Sequence, residues 1–354
     1  MTFPKSPEEL TATWLGDTLK AAGVSSADAI EGLTVEPFAE GLGILGKLVR
    51  VHAQPATDAA PRSFVAKFPC DAEANLQLAH GMRFYQREHD FYTHAAAQTP
   101  FRVPAIHFQA IDAEHNFVLL MEDLDQVTMC DQVAGATAEQ VVAIVPALAK
   151  HHAAFWQREL DWAVSFRDPA LAQIIESIYA MCKGPTLDAF ADVISNEMRE
   201  VIEAVDGNIG TLWNTLCDSP TTLVHGDFRV DNIGFEPDGS VVAFDWQICG
   251  INTGPYDLGF MMSQSVNPEV REQIEQDQVR AYHRTLCDNG VDDYTFDTCM
   301  RDYRRTILAC IIYPVITCGM LDVSTERGRE FGRLSLRRSL SAIEALNAQD
   351  LLPG

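Results

Sequence analysis

The chain has 354 residues, 47% of them hydrophobic, enough for one large domain or for two lobes with a sizeable core. Asp and Glu outnumber Lys and Arg by 50 to 26, a formal charge of −24. No Lys/Arg-rich run interrupts that excess, which argues against nucleic-acid binding through phosphate neutralisation and reads first as a solvated acidic surface. The nine cysteines are scattered, odd in number and include no CxxC pair. Neither a disulfide framework nor a zinc site is expected from them, and a reducing, cytoplasmic setting is. The N-terminus MTFPKSPEELTATWL has no apolar signal core, and no apolar run approaches the roughly 20 residues of a membrane span, so no membrane partner is expected.

In chain order, Ser6 before Pro7, Glu8 and Glu9 predicts a helix running to about Ala22, with Ser6 as its N-cap and the acids at the positive end of its dipole. Short β-rich runs at Ile44–Val51, Ser63–Phe68 and Phe117–Met121 predict strands. Between them Ala72–Ala97 lacks proline and reads as helical, with Gly81 the candidate break. From Thr137 onward helices dominate: Ala138–Glu159, kinked or divided at Pro146, then Ala170–Met181, Glu269–Asn289 and Arg327–Asn347. Ile307–Leu321 is apolar but short, is interrupted by Pro314 and reads as a buried core helix. Leu223–Val224, Ile233–Phe235 and Val241–Phe244 read as strands, the last two flanking the turn signal Pro237-Asp238-Gly239. The expected fold class is α+β. A small antiparallel-sheet lobe, residues 1–122, would join a large helical lobe, residues 123–354, near Met121–Gln126.

The chemistry concentrates in Leu223–Phe235, LVHGDFRVDNIGF, and Val241–Gln247, VVAFDWQ. Asp227, Asn232 five residues later and Asp245 at the end of an apolar run are the side chains that phosphoryl transfer needs, because that reaction is governed by positioning and charge. Asp227 would accept or orient the proton of an attacking hydroxyl. Asn232 and Asp245 would offer hard oxygens to Mg2+, which takes its other ligands from phosphates and water. A lone His-Gly-Asp is weak evidence. The full HGDxxxxN, followed by a turn and an Asp 18 residues after Asp227, is specific.

Gly41, Gly43 and Gly46 form a GxGxxG that would let backbone approach phosphates. It is followed by β-like residues, so a Rossmann turn does not fit, and Leu48 stands where a P-loop requires Ser or Thr. A glycine-rich loop between two antiparallel strands fits better, and a plain hairpin turn remains the alternative. Lys67, on an apolar strand, is costly to bury without partners, which phosphates and a carboxylate would supply. Glu88 is the first candidate for that carboxylate, and Glu73 competes with it. Phe117–Leu124 suits the connection between lobes, where backbone groups would read an adenine edge. Asp257 reads as a helix cap that braces the catalytic loop. His151 and His152 are adjacent, point about 100° apart on a helix and have no third ligand nearby, so packing or capping explains them better than a metal.

On these motifs the chain resembles the aminoglycoside phosphotransferase and choline kinase-like superfamily. The Phe84–Tyr92 pattern and the ending Asp245-Trp246-Gln247 are most similar to the ecdysteroid kinase-like and related bacterial phosphotransferase branch. The resemblance spans Gly41 to Asp257. It implies a protein-kinase-like bilobal fold in which ATP binds between the lobes and gives its γ-phosphate, with Mg2+, to a small-molecule hydroxyl. It implies Asp227 as the base, Asn232 and Asp245 as metal ligands, Lys67 as the phosphate-binding lysine and Glu88 as its helix partner. His225-Gly226-Asp227 lacks the arginine with which protein kinases answer activation-loop phosphorylation, and Asp245-Trp246-Gln247 replaces Asp-Phe-Gly. Both departures point to a small-molecule kinase without that switch. The acceptor would be held by the helical lobe after Gly254, with Tyr256, Tyr282 and Tyr313 as liners or, more simply, core residues. A kinase for a hydroxyacyl or lipid-like substrate and a nucleotide-binding pseudokinase scaffold are the alternatives.

Overall fold

Alternating apolar residues in the first third of the chain build a sheet. The structure is a computed structural model that describes residues 3–24, 30–38, 45–55 and 63–353. The chain divides into two units, Met1–Ala97 with Val103–Val127, and Gln98–Arg102 with Thr128–Gly354. The first holds α1 (Ala12–Ala21), β1 (Ile30–Pro37), β2 (Gly46–Pro55), β3 (Ser63–Pro69), α2 (Glu73–Gly81), α3 (Phe84–His94), β4 (Ile106–Ile111) and β5 (Phe117–Glu122). Its five strands form one antiparallel sheet in the order β1-β2-β3-β5-β4. Phe64, Ala66 and Phe68 of β3 pack with Val49, Val51, Val118 and Leu120 against Leu15 and Leu19 of α1. Side chains alternate across a strand, so Val65 and Lys67 point to the opposite face.

In this unit one expectation changes, the break expected at Gly81 is met, and two strands are added. Ser6 makes no side-chain cap; Pro7–Glu9 is a single 3-10 turn, and Leu10 returns to extended backbone. The helix begins instead at Ala12, capped by Thr11, whose hydroxyl accepts from the Trp14 N–H and so satisfies a free donor of the first turn. Ala72–Ala97 is two helices, the first ending at Gly81 as expected and the second restarting after Arg83, whose left-handed φ of 59° separates the two hydrogen-bond ladders. The outer strands β1 and β4 went unread because edge strands stay half-exposed and their sequences keep polar residues.

The second unit contains β6 (Thr128–Met129), α4 (Ala138–Ala154), α5 (Pro169–Ala189), α6 (Asn196–Val205), α7 (Ile209–Leu216), β7 (Thr221–Val224), β8 (Ile233–Phe235), β9 (Val241–Ala243), β10 (Gly250–Thr253), α8 (Pro255–Gln264), α9 (Pro268–Asp288), α10 (Phe296–Ala309), α11 (Ile312–Met320) and α12 (Glu326–Leu346). Pro146 lies inside α4 without dividing it. The apolar run at Ile307–Leu321 is split between α10 and α11. Pro314 clashes with the carbonyl four residues back, so the break falls at Cys310 and Ile311. Two small sheets, β6-β8-β9 and β7-β10, sit among the helices. No helix among the described residues is long and apolar enough to cross a membrane, and the nine cysteines are free thiols.

α4 opens with a capping box. The Gln140 N–H donates to Thr137 Oγ1 at 3.2 Å and the Thr137 N–H donates to Gln140 Oε1 at 2.9 Å. Thr137→Ala is expected to lower the unfolding free energy by about 1 kcal/mol. A denaturant midpoint equal to that of the unmodified chain would show that the box is not holding the helix.

Candidate active site

The β8–β9 hairpin assembles the motif. Its register, Ile233 opposite Ala243 and Phe235 opposite Val241, places Asn232, just before β8, and Asp245, just after β9, at the same end. The Phe244 N–H donates to Asn232 O at 3.2 Å and closes that end. Asn232 Nδ2 donates to Asp227 O at 2.8 Å and to Asp227 Oδ2 at 3.2 Å. The amide nitrogen is thereby spent on the loop, and the amide oxygen remains as the group able to ligate a cation. Asp245 is left-handed, φ 65° and ψ 61°, which ends β9 abruptly and turns its carboxylate out of the strand.

The loop before Asn232 is fixed by close contacts. Gly226 has φ 85°, and a Cβ built on it would lie 2.2 Å from Ile248 O, so the loop and the turn after Asp245 approach as only glycine allows. His225 is fully buried and ties the same two segments. Its Nδ1 accepts from the Asp227 N–H at 3.3 Å, which leaves the proton on Nε2 to donate to Phe244 O at 3.0 Å. Trp246 packs on the His225 ring at 4.6 Å between centroids.

Behind the loop stands Asp257, in the first turn of α8. Gly254 holds the N-cap position, so Asp257 does not cap the helix by that geometry. Its carboxylate accepts from the His225 N–H at 2.7 Å, the Gly226 N–H at 2.9 Å and His152 Nε2 at 3.1 Å. Burial alone would raise the pKa of Asp257. The His152 hydrogen bond, the electrostatic pull of the His152 and His225 rings and the Gly226 N–H outweigh burial and hold it below the ordinary carboxylate range. His152 Nδ1 in turn meets Tyr282 Oη at 2.7 Å. His151 bonds Leu223 O through Nε2 at 3.0 Å and Thr99 Oγ1 through Nδ1 at 2.8 Å. Both histidines are therefore packed, hydrogen-bonded core residues. Tyr256 and Tyr282 are also fully buried, and Tyr256 shares a short hydroxyl contact with Tyr313.

In the first unit Lys67 Nζ lies 2.7 Å from Glu88 Oε2, with both side chains nearly inaccessible. Glu73 instead accepts from Gln77 Nε2 at 2.8 Å. The restart at Arg83 rotates α3 so that Phe84, Tyr85, Glu88 and Phe91 are buried together. Gly46 opens β2, and a Cβ there would sit 2.9 Å from Lys67 Cε, so the lysine stem lies directly on the glycine. Gly41 and Gly43 lie outside the described residues. Past β5, Asp123 is pinned by Arg50 Nε at 2.7 Å, an anchor that the sequence patterns did not reveal.

Residues 43–291, more than half of the chain, match the ecdysteroid kinase-like family. The chain belongs to that family. No curated protein sequence matches it. Among solved structures it is similar to an amicoumacin kinase in complex with AMP-PNP, Ca2+ and Ami (TM-score 0.53, 13% identity, 96% of this chain and 94% of the other). It is also similar to the ethanolamine kinase of Plasmodium vivax (TM-score 0.52, 12% identity, 87% and 81%) and to the AMP complex of LicA (TM-score 0.50, 15% identity, 95% and 98%). At these identities the likeness shows the fold, which is the α+β, protein-kinase-like bilobal one.

The amide oxygen of Asn232 and the carboxylate of Asp245 are hard oxygen donors of the kind that would fit Mg2+. Among the described residues no group of three or more His, Cys, Asp or Glu side chains could hold a metal. A cation held by these two oxygens would need phosphate and water for the rest of its shell, the habit of Mg2+. One charged neighbour was missed by the sequence reading. Arg229, inside the motif, places Nε 3.5 Å from Asp227 Oδ2. Asp227 first, then Asp231 and Asp245, hold its pKa above the ordinary arginine value against the opposing effect of burial. Its charge within HGDFRVDN was the available signal.

Two outcomes test this geometry. Gly226 and Gly239 share φ 85°, but only Gly226 has a neighbour that a Cβ would strike. Gly226→Ala should destabilise by about 1–3 kcal/mol more than Gly239→Ala in matched denaturant melts, and equal losses would contradict the close approach. Burial, then His152, pushes the pKa of His151 well below 6.5. The unfolded imidazole gains a proton below about pH 6.5 that the native one refuses, so stability falls on acidification by up to about 1.4 kcal/mol per pH unit. His151→Gln should flatten that slope between about pH 5 and 6.5, and an unchanged slope would remove His151 as its source.

Proposed function

We propose that this protein is a small-molecule kinase that transfers the γ-phosphoryl group of ATP to a substrate hydroxyl with Mg2+. The observation that carries the reading is the joining of Asp227, Asn232 and Asp245 at one end of a hairpin, on a loop bolted to buried Asp257. Asp227 accepts the acceptor's proton as its oxygen attacks phosphorus in line with the departing ADP. Asn232 and Asp245 would hold Mg2+, which when bound neutralises phosphate charge. Lys67, oriented by Glu88, pairs with the nucleotide phosphates. Gly41, Gly43 and Gly46 are the pattern that would let backbone N–H groups reach the same phosphates.

The family match supports phosphotransfer, and a neighbour of the same fold is a complex with AMP-PNP and Ca2+. Ethanolamine and amicoumacin kinases among the neighbours support a small hydroxylated acceptor. The intact set of Lys67, Asp227, Asn232 and Asp245 speaks against a pseudokinase. Nine free thiols suit a reducing, cytoplasmic setting.

Magnesium-ATP at about 100 times its dissociation constant should stabilise the chain by roughly 2.7 kcal/mol, read as a rise in melting temperature that disappears when magnesium is chelated. Asp227→Asn should keep that rise while transfer to a hydroxylated acceptor drops about 10²–10⁴-fold. Asp245→Asn should weaken magnesium-nucleotide binding at least about tenfold. Normal turnover in either variant would contradict its assigned role.

A further inference from the structure

Arg229 stands beside Asp227, the aspartate assigned as the base. Its backbone is clamped within the motif: its N–H donates to Asp227 O at 2.9 Å and its carbonyl accepts from the Asn232 N–H at 2.9 Å. The next residue is anchored too, since the Val230 N–H donates to Ser265 Oγ at 3.2 Å. The side chain therefore projects from a loop that has little freedom. Its guanidinium approaches Asp227 Oδ2 at 3.5 Å, beyond a good hydrogen bond, and Nε is buried with no hydrogen-bond partner among the described residues. About a third of the side chain is exposed, with 34% of its surface accessible, so its outer nitrogens can meet a ligand. The carboxylates of Asp227, Asp231 and Asp245 all act on it, which sets it among the groups assigned to the base and to the metal.

A guanidinium that serves only as a counter-ion is expected to close a short, bidentate pair with its carboxylate. This one stands off its carboxylate with donors to spare. Resting on the phosphotransfer reading above, we propose that Arg229 is a further catalytic residue that donates hydrogen bonds to the transferring phosphoryl group. The acceptor oxygen forms its bond to Pγ as the bond from Pγ to the bridging oxygen breaks. ADP leaves with that electron pair, and the acceptor proton goes to Asp227. Arg229 keeps its proton throughout and stabilises the charge on the oxygens in flight.

The test compares two nucleotides that differ at the γ position. Magnesium-ADP and magnesium-AMP-PNP are titrated calorimetrically into the full chain, unmodified and as Arg229→Met and Arg229→Lys. The proposal expects Arg229→Met to weaken AMP-PNP at least about tenfold while ADP stays within about twofold. Arg229→Lys, which keeps the charge but not the fork, gives a smaller loss of the same γ-specific kind and serves as the readout if the methionine variant does not fold. Equal losses for both nucleotides, or no loss for either, overturn the role of Arg229 and leave the kinase reading standing. Failure of the unmodified chain to bind either nucleotide overturns both.

Discussion

A carboxylate taken wholly out of water must be compensated by hydrogen bonds or charge, and for Asp257 much of that compensation comes from the loop that carries Asp227. Two backbone N–H groups, of His225 and Gly226, and the imidazole of His152 converge on its two oxygens. Moving the loop would leave a buried anion short of donors, a loss of several kcal/mol. The loop is therefore held by a constraint from the core, and the positions of Asp227 and Asn232 follow from it. Gly226 is the steric half of the same constraint, because the chain must pass within contact of Ile248 to reach Asp257.

The second buried charge system has a different character. Lys67 and Glu88 are both nearly inaccessible, and such a pair is weak evidence for stability, since removing two ions from water offsets much of their attraction. An apolar pair at these positions would hold the sheet to α3 as well. Under the kinase reading proposed above, the retained ammonium would serve a phosphate, with Glu88 fixing its direction and Gly46 giving its stem room.

How much of this was legible depended on sequence distance. Asp227, Asn232 and Asp245 could be read as a set because one short hairpin contains them and the turn Pro237-Asp238-Gly239 announces its register. The choice between Glu88 and Glu73 could not be made, because it rests on a left-handed Arg83 that no propensity favours. Pro314 signalled an interruption, but the break lies upstream of it, where its ring meets a carbonyl. β1 and β4 were hidden by the polar residues that edge strands keep. The chain from Tyr282 through His152 to Asp257 ties the consecutive helices α9 and α8 to α4, 130 and 105 residues away from them in sequence, and only the fold brings these together. Arg229 was in plain view, yet a charged residue in a turn reads as solvated until its surroundings are known.

The central claim is that Asn232 and Asp245 share a cation with a nucleotide while Asp227 stays clear to take a proton. Crystals grown with AMP-PNP and Mn2+ test it directly through the anomalous signal of the metal. The account predicts one strong peak within about 2.3 Å of Asn232 Oδ1 and an Asp245 carboxylate oxygen, with phosphate oxygens completing the shell. A metal held elsewhere, or AMP-PNP bound with neither residue in contact with a metal, would contradict it.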